Sequence, residues 1–165
     1  MPLLQLFPRA PVDIRARKPV KVSGVGRLDF RRINDRVSVS PQIGPEDIEV
    51  IKAAGFSAIV NNRPDGEAPD QPSGAEIRRV AEAAGLAYHE IPLGRDGVTE
   101  QMIEATRDVL EQSPGPVLCY CRSGTRSTTL WALSEAGKLP AEEIIEAAGR
   151  AGYDVSHLAG HLAKA

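Results

Sequence analysis

Apolar positions follow two different spacings along this chain. They alternate or run together over a few residues in "RVSVS" (Arg36 to Ser40), "SAIVN", "AYHEIPL" and "PVLCY", and recur every three or four residues in the segments between. The first spacing belongs to strands and the second to helices that bury one face. "GPEDIEVIKAAG" reads as a helix with Pro45 at its first position, acids in its first turn and Gly55 as its stop. Ser73 and Glu76 form a capping box ahead of "GAEIRRVAEAAG", which Gly85 closes. Thr99 caps "EQMIEATRDVLEQ", where Met102, Ile103, Thr106, Val109 and Leu110 make a stripe. Helices are expected from about Ser127 to Ala136 and from Ala141 to Ala148, with a last helical piece in "DVSHLAGHLAKA". Trp131 and its neighbouring leucines, at helical spacing, read as core.

Strands alternating with helices in this way imply one α/β domain: a largely parallel central sheet of about four to five strands, flanked by helices in three layers. Reacting groups gather at the carboxyl ends of strands in such sheets. The loops 61–72, 92–98 and 121–126 are therefore expected to converge. Residues 1–27, rich in Pro, Arg and Lys and without a period, read as an irregular basic arm ahead of a domain over 28–165.

The 165-residue length allows one domain with a real core. The net charge of −2 gives no global signal for nucleic acid or an anionic membrane. It is unevenly spread: Met1 to Arg36 holds nine Lys/Arg against three Asp/Glu, or +6, which leaves −8 for the remainder. That arm is either a solvated tail or a dock for an acidic partner. No apolar stretch reaches membrane-spanning length, and the start is too broken by proline for a signal peptide. Two cysteines one residue apart make no disulfide framework, so a reducing, bacterial-type cytoplasm is expected. No metal or organic cofactor is expected. Cys119 and Cys121 are half a zinc site with no second ligand pair to complete it, and His157 with His161 lacks a third ligand.

The chemistry concentrates in "CYCRSGTRS", Cys119 to Ser127, between a buried strand and a helix. A thiol acts as a nucleophile only as thiolate, which a helix N-terminus and nearby cations favour. Cys121 has both: the backbone amides of Arg122, Ser123, Gly124 and Thr125 lead into the helix, and Arg126 offers a planar charged fork to an oxyanion. Gly124 permits the tight turn, and Ser127 is placed to hydrogen-bond the sulfur. Arg122 reads as an exposed charge that steers anions to the mouth. Cys119 is either core or a resolving thiol.

The segments "RVSVSPQIGPEDIEVIKAAGFSAIVNNRPDGEAPDQPS", "GLAYHEIPL" and "GPVLCYCRSGTRSTTLWAL" resemble the bacterial DUF442 family, the phosphatase-like domain of beta-lactamase hydrolase-like proteins, also described as sulfur transferases. The resemblance covers about residues 28 to 155, with "NNRPDGE" and "CRSGTRS" its most specific motifs. It implies a dual-specificity-phosphatase-like fold with Cys121 as nucleophile and Arg126 as anion clamp. Asp96, in the loop after "HEIPL", falls at the general-acid position. Two features depart from the dual-specificity pattern. Cys121 to Arg126 spans six residues, one fewer than in those phosphatases and the same as in rhodanese-type sulfurtransferases. Tyr120 stands where a histidine usually precedes the nucleophile.

Arg63, Asp65 and Glu67 lie in the loop after "SAIVN"; turn chemistry and pocket lining both account for them, and the resemblance favours lining. His89 is either a pocket or a structural histidine. The leading expectation is a cysteine-dependent hydrolase of phosphate esters, small-molecule or protein, with no nucleic-acid or membrane partner. The alternative is a sulfurtransferase that carries a donor's sulfane sulfur on Cys121. A third reading is a non-catalytic anion- or protein-binding module with the basic arm as tether.

Overall fold

The structure, a computed structural model, describes residues 28–163. The expected basic arm over 1–27 lies outside the described residues. Five strands form one sheet: β1 (Arg31–Arg32), β2 (Val37–Ser40), β3 (Ala58–Asn61), β4 (Ala87–Glu90) and β5 (Val117–Tyr120), in the order β1-β2-β5-β3-β4. All pairings are parallel except β1 with β2. β1 was not expected from the sequence: two arginines carry no strand pattern, and the pair is held by backbone pairing to Ser38 and Val39.

The sheet is covered on both faces, which gives the expected three layers. Ile59, Leu118 and Tyr120 face one side and pack with Ile48 and Ile51 of α1 (Ile48–Ala53) and with Ile77 and Ala81 of α2 (Gly74–Ala83). Val37, Val39, Ala58, Val60, Val117 and Cys119 face the other side. They pack with Val109 of α3 (Glu100–Gln112), Leu130 and Trp131 of α4 (Thr125–Glu135), and Ile144 and Ala148 of α5 (Ala141–Arg150). α6 (Ala159–Ala163), entered through a 3-10 turn at Ser156–Leu158, adds Leu162 to this layer. The alternation follows the period of two along each strand. β5, between β2 and β3, is buried along its whole length, which explains its unbroken apolar run.

The expected caps are present. Ser73 Oγ accepts the Glu76 N–H at 3.2 Å, and Thr99 Oγ1 accepts the Met102 N–H at 3.2 Å. Pro45 opens a 3-10 turn, Pro45–Asp47, that runs into α1, and the Gly44 N–H donates to Asp47 Oδ2 at 2.7 Å. Three ends differ from expectation. α4 begins at Thr125, two residues early; α5 continues to Arg150; β4 stops at Glu90, and Ile91 to Leu93 continue as irregular backbone.

Candidate active site

The carboxyl ends of β3, β4 and β5 bring the three expected loops together. Two adjacent asparagines fasten the ends. The Asn62 N–H donates to Tyr120 O at 2.8 Å, and its side-chain amide donates to Ile91 O at 2.9 Å. Asn61 donates to the Tyr88 hydroxyl at 3.0 Å and accepts the Arg63 N–H at 2.8 Å. Both are buried, so each replaces hydration with protein partners. The sequence marked "NNRPDGE" as specific without revealing these contacts.

Cys121 follows β5 directly and is fully buried. The Gly124 N–H points back at its sulfur, 3.0 Å away. Gly124 is left-handed, φ 92°, and caps α4; a Cβ there would also collide with the Tyr153 hydroxyl. That hydroxyl donates to Ser123 O at 2.9 Å and pins the loop from outside. Arg31 lies over the Tyr153 ring, 5.3 Å from its centroid. Ser123 and Thr125 are exposed, and the Ser123 hydroxyl donates to Thr125 Oγ1 at 3.0 Å. Ser127 is buried in the first turn of α4, but its hydroxyl makes no hydrogen bond to the sulfur or to any other group among the described residues.

Arg126 is held from two sides. Its two terminal nitrogens donate to the two oxygens of Glu67, both at 2.8 Å, and Nη1 also donates to Leu93 O at 3.0 Å. This leaves the Nε edge of the fork free of these partners. Glu67 is fixed in turn by Arg63, whose Nε donates to Oε1 at 2.9 Å and whose Nη1 donates to Gln42 Oε1 at 3.0 Å. The Arg126 hydrogen bond, followed by that from Arg63, outweighs burial and draws the Glu67 carboxyl down to about 2. Arg126 is held more firmly charged, by Glu67 first and with Cys121 also contributing. Burial pushes the Cys119 thiol up to about 12, and Cys121 beside it adds to the rise. Burial likewise raises Tyr120, the residue before the candidate nucleophile.

Above the loop opens a cleft of about 510 Å³. Arg95, Arg122 and Arg126 line it together with Asp65 and Glu67, and Pro64, Gly66 and Gly94 complete the wall. Arg63 lies behind Glu67, only 6% exposed, so it supports the site from beneath rather than lining the cleft. Asp65 lines the cleft and accepts the Gly74 N–H at 2.8 Å, at the start of α2. Asp96 sits exposed in the Gly94–Gly97 turn, one residue beyond the cleft-lining Arg95. His89 is half-buried in β4, with its pKa lowered by burial and then by Arg78, and does not line the cleft. His157 and His161 are exposed. No cluster of three metal-ligating side chains occurs among the described residues. No described helix is long and apolar enough to cross a membrane.

The arrangement is thus a buried sulfur under a backbone amide, near a guanidinium fork that a carboxylate pre-orients; the fork lines an arginine-rich cleft, and Cys121 itself is not among the lining residues. Sequence reasoning placed Glu67 in the loop but missed its bridging role. It pairs with Arg126 across 59 residues of chain, and no local spacing reports such a contact.

Known proteins carry the same frame. The beta-lactamase hydrolase-like protein of Agrobacterium fabrum is 36% identical over 126 residues, which cover 75% of this chain and 29% of the relative. This chain therefore spans under a third of the length of the curated relatives it matches. The crystal structure of a candidate phosphatase from Neisseria meningitidis shares 33% identity and a TM-score of 0.71, covering 81% of this chain and 96% of that one. Tk-PTP in its active form, at 22% identity and a TM-score of 0.61, covers 81% of this chain and 92% of its own. At that identity it shows the fold alone, which is that of the tyrosine and dual-specificity phosphatases. The profile described as "Beta-lactamase hydrolase-like protein, phosphatase-like domain" matches residues 29–138, and the chain belongs to that family.

Proposed function

We propose that this phosphatase-like domain hydrolyses phosphate esters through a cysteinyl-phosphate intermediate on Cys121. The observation that carries the reading is the Gly124 N–H directed at the Cys121 sulfur, with the nearby fork of Arg126 held in place by Glu67 from the loop after β3. The Cys121 thiolate attacks phosphorus and the bond to the ester oxygen breaks. The departing oxygen takes a proton from Asp96. Arg126 and the loop amides hold the negative charge on the transferring group. A water then gives its proton to the Asp96 carboxylate and attacks the cysteinyl-phosphate, which releases phosphate and restores the thiolate. A reducing cytoplasm is the compartment that suits this chemistry, because it keeps Cys121 a thiol.

The loop itself favours a second reading. Six residues from Cys121 to Arg126, closed by an amide on the sulfur, make a tight ring. A persulfide on the buried Cys121 would place its reactive sulfur one atom further out. In that reading Cys121 accepts a sulfane sulfur from a donor such as thiosulfate, which leaves as sulfite, and passes it to an acceptor thiol. Mass spectrometry after brief exposure to an aryl phosphate, and separately to thiosulfate, tests both readings. A phosphoryl adduct on Cys121 is expected from the first. A sulfur adduct from the second, with no phosphate released from any ester, would establish the sulfurtransferase instead.

A further inference from the structure

The cleft carries more positive charge than a single phosphoryl group needs. Arg126 faces the reacting group and is paired with Glu67, which is shared with Arg63. The other carboxylate on the wall, Asp65, already accepts the Gly74 N–H. Arg95 and Arg122 line the same cleft, are exposed, and have no ion pair or hydrogen bond from their guanidinium groups among the described residues. Among the lining residues, three guanidinium groups, Arg95, Arg122 and Arg126, thus stand against two carboxylates, Asp65 and Glu67, and Glu67 is shared with Arg63 behind the wall. An unpaired guanidinium at a recognition site matches the oxygens of phosphate or carboxylate, which it can grip in bidentate fashion.

The wall is also without a hydrophobic slot: its apolar atoms belong to backbone, one proline and the stems of charged side chains. Apart from the charged residues it offers one proline ring and two glycines, with no aromatic or aliphatic side chain. An aromatic substrate gains its binding energy by burying its ring face against apolar atoms. Here the ring of a phosphotyrosine would meet backbone and guanidinium groups instead. The volume of about 510 Å³ falls in the range of small-molecule sites.

We infer that the site takes small polar phosphate esters bearing a second anionic group, and that Arg95 and Arg122 hold that second anion. The inference rests on the phosphatase reading of Cys121 and narrows it to a substrate class. The test is phosphate release by the full chain from fructose 1,6-bisphosphate, fructose 6-phosphate and phosphotyrosine. The bisphosphate is expected to show a kcat/KM about tenfold or more above the other two, the worth of roughly one added charge-assisted contact. In Arg95→Ala/Arg122→Ala the ratio of bisphosphate to monophosphate should fall toward one. That comparison removes any general advantage of the more highly charged compound. Equal kcat/KM for the two sugar phosphates, a preference that survives the double substitution, or phosphotyrosine cleaved as well as the bisphosphate would overturn the inference. Should the wild type release phosphate neither from these nor from an activated aryl phosphate, the phosphatase reading falls, and calorimetric titration of the same two sugar phosphates decides the subsite. Tighter binding of the bisphosphate that disappears in the double variant upholds it; equal affinities refute it.

Discussion

Two cysteines separated by one residue have different surroundings, and position relative to the strand end sets them. Cys119 lies within β5 and packs in the core, where its thiol is pushed up to about 12. Cys121 lies past the strand end, where Gly124 donates to its sulfur. At pH 6 Cys121 should alkylate faster than Cys119; equal rates would remove it as the nucleophile. Arg126→Lys should lose most turnover in a folded protein, because an ammonium cannot donate to both Glu67 oxygens and still present a planar edge. Near-normal turnover would show that the fork is not the clamp. Gly124→Ala meets both a left-handed backbone and the Tyr153 hydroxyl, so a loss of at least about 1–2 kcal/mol is expected. Gly149→Ala, in the exposed last turn of α5 with nothing near its Cβ, should instead stabilise, by up to about 0.5–1 kcal/mol. Denaturant titration of the two variants checks the contrast. Asp96→Asn should slow hydrolysis of poor-leaving-group phosphates by about a hundredfold or more and affect activated aryl phosphates much less, since only the former need a proton to depart. Unchanged relative rates would leave Asp96 a turn residue and move the acid role to Asp65, the carboxylate that already lines the cleft.

At the scale of elements, legibility followed locality. Ser73, Thr99, Gly55 and Gly85 sit at helix ends where side chain or backbone freedom acts within a few residues, and the structure has each helix boundary where they indicate. β5 was readable from its apolar run, since burial on both faces leaves no place for a polar residue. β1 was not readable, because its backbone bonds to β2 and its arginine side chains say nothing about a strand. The early start of α4 has a related cause. Gly124 serves as its cap through a positive φ and has no capping side chain. In the candidate site, Cys121, Gly124 and Arg126 were legible as one contiguous motif. The supports from Asn61, Asn62, Glu67, Leu93 and Tyr153 were not, since each joins segments distant in the chain.

The whole molecule is tied together at the site by one carboxylate. Glu67, from the loop after β3, binds Arg126 after β5; Arg126 also binds Leu93 O after β4; and Arg63 reaches Gln42 after β2. Four segments that leave the sheet at the same end therefore share one charge network. Its pH dependence follows from Glu67, whose carboxyl is lowered from 4.5 to about 2 on folding. A carboxyl lowered by folding releases its proton more readily in the native state, so its stabilisation is complete above the unfolded value and fades as pH falls through the folded one. Total stability would blur this, because burial raises the carboxyls of Asp47 and Glu135, and their protonation on acidification favours the folded state. Comparison with Glu67→Gln isolates the effect, since the variant keeps the shape and loses the titration. Above about pH 4.5 the wild type should be more stable than the variant by about 1 kcal/mol, the scale of a partly exposed charged network. The gap in Tm should narrow steadily as pH drops from 4.5 toward 2. A gap that stays constant across that interval would mean that Glu67 is not the tie between these loops, and that Arg126 owes its position to Leu93 and the α4 backbone alone.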